Sequence, residues 1–213
     1  MLASKSFYLT LIIVFGVIAI SLQQLELILL YGIAKALTTI SVIVLAAGSR
    51  SMSRLSAQMV TAIVFCLLGD IALIWDHLFL LGLGFFLVAQ LLFIRALTSR
   101  FGFKLSPIAV MIALGLVIFI VSYLWSGLSI ALKIAIPIYA SVIGVMGALA
   151  LSIGFRRRTA IRTQIALAGV LFIISDALLA INGFKTPFAY SGLFILSTYW
   201  AAITLFANAG REF

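Results

Sequence analysis

Charged side chains are scarce in this chain of 213 residues. They make up 9% of the sequence against 65% for hydrophobic residues, and only five of them are acidic. A chain this poor in charge cannot cover a water-soluble surface, so its solvent is lipid. The apolar runs use up nearly the whole sequence, which excludes a separate soluble catalytic domain.

Cysteine and histidine are almost absent as well. Cys66 is the single cysteine and His77 the single histidine. One cysteine excludes an internal disulfide and a cysteine metal cluster, and one histidine excludes a three-histidine zinc centre. The sequence therefore predicts neither a metal nor any other cofactor.

Long apolar runs are what the chain does contain. A run of about 20 apolar residues spans a bilayer as a helix. Eight such runs lie at residues 7–22, 27–47, 57–75, 78–98, 106–126, 130–154, 163–182 and 188–207. We predict an all-α polytopic membrane protein in which residues 1–213 form one domain of eight transmembrane helices.

Basic residues lie almost entirely on one side of the predicted bundle. Only Lys133 and Lys185 flank helix ends on the other side. The majority side holds Lys5, Arg50, Arg54, Arg95, Arg100, Lys104, Arg156, Arg157, Arg158, Arg162 and Arg211. Because Lys and Arg collect in cytoplasmic loops, we predict cytoplasmic termini and a multi-pass protein of a bacterial inner membrane. The same bias explains the net charge of +9 without nucleic acid as a partner.

Two of the acidic residues interrupt apolar runs. Asp70 lies in CLLGDIALIWDH and Asp176 in LFIISDALLAIN. An ionisable side chain at membrane depth is costly and marks function more often than structure; the alternative is a carboxyl that only joins helices. Counted along the alternating helices, both lie at a similar depth below the outer surface, as do Lys35, Tyr139 and Tyr199. We predict that these five residues form one site.

Other polar residues are predicted to support this site. Lys35 is a counter-charge for one carboxylate or for a phosphate head group. Gln90 either hydrogen-bonds a ligand or joins two helices, and Ser175 either supports the site or bonds its own helix backbone. Asn182 follows Asp176 at the end of the seventh run.

A weak internal repeat is present. AKALTTISVIV resembles IYASVIGVMG, and LLGDIAL resembles IISDALL, at offsets of 104 and 106 residues. These offsets predict two parallel four-helix halves, residues 1–104 and 105–213, with a site between them.

The residues around both aspartates resemble the YhhN-like family of integral membrane lysoplasmalogenases. The similarity is carried, in order, by IAKALTT, LLGDIALIW, FLLGLGFFLVAQLLF, IYASVIGVMGALAL, GVLFIISDALLAINGF and STYW. It implies a hydrolase that cleaves the vinyl ether bond of a lysoplasmalogen to a fatty aldehyde and glycerophosphoethanolamine or glycerophosphocholine. The resemblance places functional acids at Asp70 and Asp176, with Lys35, Tyr139 and Tyr199 as neighbours.

The chain also departs from the pattern of that family. Ala36 stands where the family usually has proline, and Ile203 where glutamine is common. Gln90 and Phe93 stand in the fourth helix where the family usually carries a histidine and a tyrosine.

Vinyl ether hydrolysis suits a pair of buried carboxyl groups. Acid protonates the alkene carbon that is not bonded to oxygen, and the resulting oxocarbenium ion needs a nearby anion, as in glycosidases. The rival hypotheses are a proton-coupled transporter and a non-catalytic lipid-binding membrane protein; a metal-dependent lipid amidohydrolase is weaker because its ligands are missing. The sequence leaves open the head-group preference, which aspartate is the acid, and the oligomeric state.

Overall fold

Eight long helices make up the fold. The computed structural model describes residues 4–48, 53–156 and 159–212, and eight helices there are long and apolar enough to cross a membrane. They are α1 (Lys5–Gln24), α2 (Ile28–Ala47), α3 (Arg54–Ala72), α4 (Phe79–Phe101), α5 (Pro107–Leu124), α6 (Ile130–Arg156), α7 (Ala160–Phe184) and α8 (Ser191–Arg211). The predicted all-α membrane architecture is confirmed, and these described ranges contain no strand.

Local sequence signals explain several helix starts. The hydroxyls of Ser4, Ser53 and Thr159 each accept a hydrogen bond from a backbone amide in the first turn of α1, α3 and α7, which is the usual N-cap arrangement. Pro107 is the first residue of α5, where its missing amide hydrogen costs nothing. Short 3₁₀ turns at Asp76–Leu78 and Trp125–Gly127 complete two of the connections.

Six helices form a closed ring. Contacts run in the order α2, α3, α4, α6, α7, α8 and back to α2, and α3 also touches α8 across the ring. Two helices lie outside the ring: α1 packs on α2 and α8, and α5 packs on α6 and more lightly on α7.

The basic end of the bundle is closely packed. Phe93 stacks on Phe206 with 4.5 Å between ring centroids and meets Phe172 edge-on at 6.1 Å. The guanidinium of Arg156 donates to the backbone carbonyls of Phe101, at 3.0 Å, and of Lys104, so this arginine also fastens the connection from α4 to α5. Aromatic packing and these hydrogen bonds therefore stabilise the basic end of the bundle.

Part of the predicted charge bias lies beyond the described ranges. Arg50, Arg157 and Arg158 are outside the residues that the structure describes. The other basic residues assigned to that side lie at the amino ends of α1, α3 and α7, at the carboxyl ends of α4, α6 and α8, or in the connection after α4. Which side of the membrane this end faces remains a prediction.

Candidate functional site

A cavity of about 350 Å³ lies in the half of the bundle opposite the basic end. All eight helices contribute to its wall. Its polar lining residues are Gln23, Tyr31, Lys35, Asp70, Tyr139, Ser175, Asp176, Asn182, Ser191 and Tyr199. The structure therefore brings every predicted site residue to this cavity except Gln90.

The carboxylate of Asp70 is held from two neighbouring helices. Thr39 on α2 and Tyr199 on α8 donate to its Oδ2 atom at 2.7 Å and 2.8 Å. The ammonium of Lys35, also on α2, lies 3.3 Å from Oδ1 and donates to the backbone carbonyl of Asp70 at 3.2 Å. The side chain of Asp70 is only 2% exposed. A buried ion pair persists when further hydrogen bonds satisfy both partners, and here they do.

Lys35 is thus the counter-charge of an aspartate. This geometry matches one of the two predicted alternatives for the lysine, since its ammonium group contacts the carboxylate of Asp70 in the described structure. The aromatic ring of Tyr31, one helical turn earlier, lies 5.9 Å from the ammonium nitrogen and adds a cation–π contact.

The carboxyl group of Asp176 is held more loosely. Its Oδ2 atom accepts hydrogen bonds from the Tyr139 hydroxyl on α6 and from the Gln90 amide on α4, the latter at 3.3 Å. Among the described residues, no hydrogen bond is directed at Oδ1. Asp176 is half-buried and lines the cavity. One carboxyl oxygen is thus fixed by the protein, and the other carries no hydrogen bond from the described residues.

Three predicted supporting residues make hydrogen bonds between helices or to a connection. Gln90 is fully buried behind the cavity wall, and its Oε1 atom has no partner within the described ranges. The Ser175 hydroxyl donates to the carbonyl of Ile195 on α8 at 3.0 Å, so it bonds a neighbouring helix and not its own backbone. Asn182 accepts from the amide of Phe188 at 3.2 Å and fastens the connection from α7 to α8.

Some residues that line the cavity or support Asp70 were not identified from the sequence. Thr39 follows Lys35 by one helical turn, so the period of the helix would have placed both on one face. Trp200 donates to the Thr39 hydroxyl at 3.3 Å and orients it. Gln23 and Tyr31 carry no comparable signal, because polar and aromatic residues near helix ends are common in membrane proteins.

The groups at the cavity suit proton transfer and the binding of polar head groups. They are carboxyl, phenol, ammonium, amide and hydroxyl groups, all of which exchange or share protons. Across the part of the chain that the structure describes, no three His, Cys, Asp or Glu side chains converge as metal ligands would.

Similarity to known proteins extends over most of the chain. The sequence model of the YhhN family matches residues 30–209. The chain is 31% identical over 168 residues to lysoplasmalogenase TMEM86A of Bos taurus and 32% identical over 168 residues to that of Homo sapiens, covering 74% of this chain in each case. It is 28% identical over 178 residues to lysoplasmalogenase TMEM86B of Sus scrofa, covering 82% of this chain and 72% of that protein.

The matched region spans 66% of the length of the two TMEM86A relatives. No solved structure matches the chain significantly. With eight apolar helices and a family match over most of its length, this chain is an integral, multi-pass membrane protein that belongs to the YhhN family.

Proposed function

We propose that the protein hydrolyses the vinyl ether bond of lysoplasmalogens. The products are a fatty aldehyde and glycerophosphoethanolamine or glycerophosphocholine. One observation carries the proposal: Asp176 lines a cavity inside the bundle with one carboxyl oxygen held by Tyr139 and Gln90 and the other oxygen unbonded within the described structure. The names of the curated relatives support the same activity.

Asp176 acts first as the acid. Its carboxyl proton passes to the alkene carbon that is not bonded to the ether oxygen, which leaves an oxocarbenium ion beside the new carboxylate. The hydrogen bonds from Tyr139 and Gln90 favour that carboxylate, because donors stabilise a charged acceptor more strongly than a neutral one. The group that gave the proton therefore becomes the anion that the cation needs.

The same carboxylate then acts as a base. It accepts a proton from the water molecule that adds to the oxocarbenium carbon, so a hemiacetal forms and Asp176 regains its proton. The hemiacetal collapses to the aldehyde when its hydroxyl loses a proton and the glycerol oxygen gains one. Each proton is returned, so the cycle needs no external acid or base.

Asp70 acts as a fixed negative charge in the same cavity. Lys35, Thr39 and Tyr199 hold its carboxylate in place, and the charge stabilises the transient cation electrostatically. Because those donors already bind its oxygens, Asp70 exchanges protons less readily than Asp176. The two aspartates thus have complementary roles in one site.

The substrate is a lysophospholipid that reaches the cavity from the membrane. We propose that this membrane is a bacterial inner membrane, with both termini in the cytoplasm, on the strength of the one-sided distribution of Lys and Arg. The cavity then lies in the outer half of the bilayer.

Aldehyde release by the purified protein tests the function. The protein in detergent is incubated with lysoplasmalogens that carry ethanolamine or choline, with and without a chelator, and the free aldehyde is measured. Aldehyde release that the chelator does not change and that Asp176→Asn abolishes is the expected result. Binding of the lipid without aldehyde from either substrate would instead identify a lipid-binding protein or a transporter.

A further inference from the structure

The cavity wall divides into a polar side and an apolar side. Every lining residue that α4, α5 and α6 contribute is apolar, with the exception of Tyr139. The polar side comes from α1, α2, α3 and α8, which contribute Gln23, Tyr31, Lys35, Asp70, Ser191 and Tyr199. A cavity with this division distinguishes the two ends of an amphiphilic ligand.

Asp176 lies at the boundary between the two sides. Its helix, α7, contacts α6 of the apolar side and α8 of the polar side. Its partner Tyr139 is the single polar residue that the apolar side contributes. Asp176, with its unbonded oxygen, therefore lies where the cavity wall changes from polar to apolar.

One helix of the apolar side, α5, separates the cavity from lipid. It packs mainly on α6 and lightly on α7, and its inward residues line the cavity. Ala113 on that inward side is 5% exposed, whereas Leu114 and Ile118 on the outward side are each 57% exposed. The inward residues of α5 thus form part of the apolar side of the cavity.

We propose that the cavity binds a single-chain phospholipid in one direction, with the head group against the polar side and the hydrocarbon chain along α5. The inward side chains of α5 then set the preferred chain length. The inference rests on the proposed function for the class of ligand, and it explains the position of Asp176. In a lysoplasmalogen the vinyl ether joins the glycerol to the chain, so this binding direction places the bond at the boundary.

Chain-length preference in binding tests the inference without any chemical step. Saturated lysophosphatidylcholines of about 8 to 18 carbons, which have no vinyl ether, are titrated against the purified protein by native mass spectrometry. Burial of one methylene changes affinity roughly fourfold. Of the α5 residues that line the cavity, Ala113 lies nearest the basic end of the bundle. Ala113→Phe fills this deepest part, so the longest lipids should lose about tenfold or more in affinity while the shortest keep theirs. Ile120→Ala, which widens the same wall, should favour longer chains.

Leu114→Phe is the matched control, since it adds similar bulk to the outward side of the same helix. It should leave the whole series unchanged. Two outcomes would overturn the binding direction. In the first, Ala113→Phe weakens the binding of lipids of every chain length equally. In the second, Ala113→Phe and Leu114→Phe give the same dependence of affinity on chain length, and Ile120→Ala does not shift the preferred length. If the wild-type protein releases aldehyde but Ala113→Phe does not change the dependence of affinity on chain length, only this inference is overturned. If Ala113→Phe does change that dependence but no aldehyde is released, only the proposed hydrolysis is overturned.

Discussion

A carboxyl group can transfer a proton to a ligand only through an oxygen that the protein has not already engaged. Asp70 has both oxygens engaged, one by Lys35 and the other by Thr39 and Tyr199, and it is almost fully buried. Asp176 has one engaged oxygen and lines the cavity. At the scale of single residues, the two aspartates therefore differ in what they can do.

Replacing each aspartate by asparagine should separate catalysis from stability. Asp176→Asn removes the transferable proton, so turnover should fall by about 10²–10⁴-fold while the melting temperature stays close to that of the wild type. Asp70→Asn leaves the ammonium of Lys35 buried without a counter-charge, a change that costs about 3–5 kcal/mol. Aldehyde release and thermal unfolding in detergent measure the two effects.

The double variant Asp70→Asn with Lys35→Met is the control for that interpretation. It removes both charges, so it should regain most of the stability that Asp70→Asn loses, though not the activity. Wild-type turnover in Asp176→Asn would remove this residue from the mechanism and leave helix association as its explanation.

The residues of the site were predictable where a costly group interrupts an apolar run. This signal identified Asp70, Asp176 and Lys35. Counting residues along the alternating helices then placed Tyr139 and Tyr199 at the same depth in the membrane. The pairing was not predictable, because the sequence does not say which faces of distant helices meet. Thr39 binds Asp70 only because α2 and α3 are rotated towards each other in the fold.

At the scale of helices, the contact between α6 and α7 positions Tyr139 beside Asp176. Glycines allow these helices to approach closely, as in other membrane proteins. A Cβ atom on Gly169 of α7 would lie 2.6 Å from the Cβ of Ala150 and 3.6 Å from the Cα of Gly147, both on α6. Since α6 carries Tyr139 and α7 carries Asp176, this close approach holds the two side chains together.

Gly169→Leu should therefore weaken both the fold and the site. The added side chain meets backbone and a short alanine, which cannot move aside, so a loss of about 1–3 kcal/mol in stability is expected. Turnover should fall too, because the helices that carry Tyr139 and Asp176 are forced apart. Thermal unfolding and aldehyde release measure these effects.

Gly115→Leu is the control for the effect of added bulk. A Cβ atom at Gly115 would have no neighbour within 4 Å among the described residues, so this variant should melt and react like the wild type. Equal behaviour of the two glycine variants would show that the contact between α6 and α7 does not set the geometry of the site.

The positions of the helices were more predictable than their packing. Each apolar run became one helix, and the predicted ends differ from the observed ones by four residues or fewer, because lipid requires every backbone group to be bonded within its own segment. The packing order was not predictable, since α4 contacts α6 while α5 lies outside the ring. Apolar helices carry little information about their partners.

At the scale of the whole molecule, the helix contacts suggest an internal symmetry. If α1 to α4 correspond in order to α5 to α8, then α4 is equivalent to α8 and α2 is equivalent to α6. The contact of α4 with α6 is then equivalent to the contact of α8 with α2. We propose on this basis that the chain consists of two four-helix halves, residues 1–104 and 105–213, as its weak repeat predicts.

The polar contacts follow the same relation. Each cavity aspartate contacts a side chain of the helix that precedes its own. Asp70 forms an ion pair with Lys35 on α2, and Asp176 accepts a hydrogen bond from Tyr139 on α6. Each also accepts a hydrogen bond from the last helix of the other half, through Tyr199 on α8 or Gln90 on α4. The two halves would then place different side chains at equivalent positions. Lysine at one such position forms an ion pair with Asp70, whereas tyrosine at the other leaves one oxygen of Asp176 open to the cavity.

The orientation of the molecule decides which leaflet of the membrane supplies the substrate. The one-sided distribution of Lys and Arg predicts that the ends of the chain and the connection after α2 are cytoplasmic, so reporter domains fused after residues 54 and 213 should both be active in the cytoplasm of a bacterial host. A reporter fused after residue 127, in the connection between α5 and α6, is the opposite control and should be active only outside the cytoplasm. Because the cavity lies in the half of the bundle opposite the basic end, this result would assign the substrate to the outer leaflet. A cytoplasmic signal at residue 127, or an external one at residue 54 or 213, would reverse the topology and move the substrate to the inner leaflet.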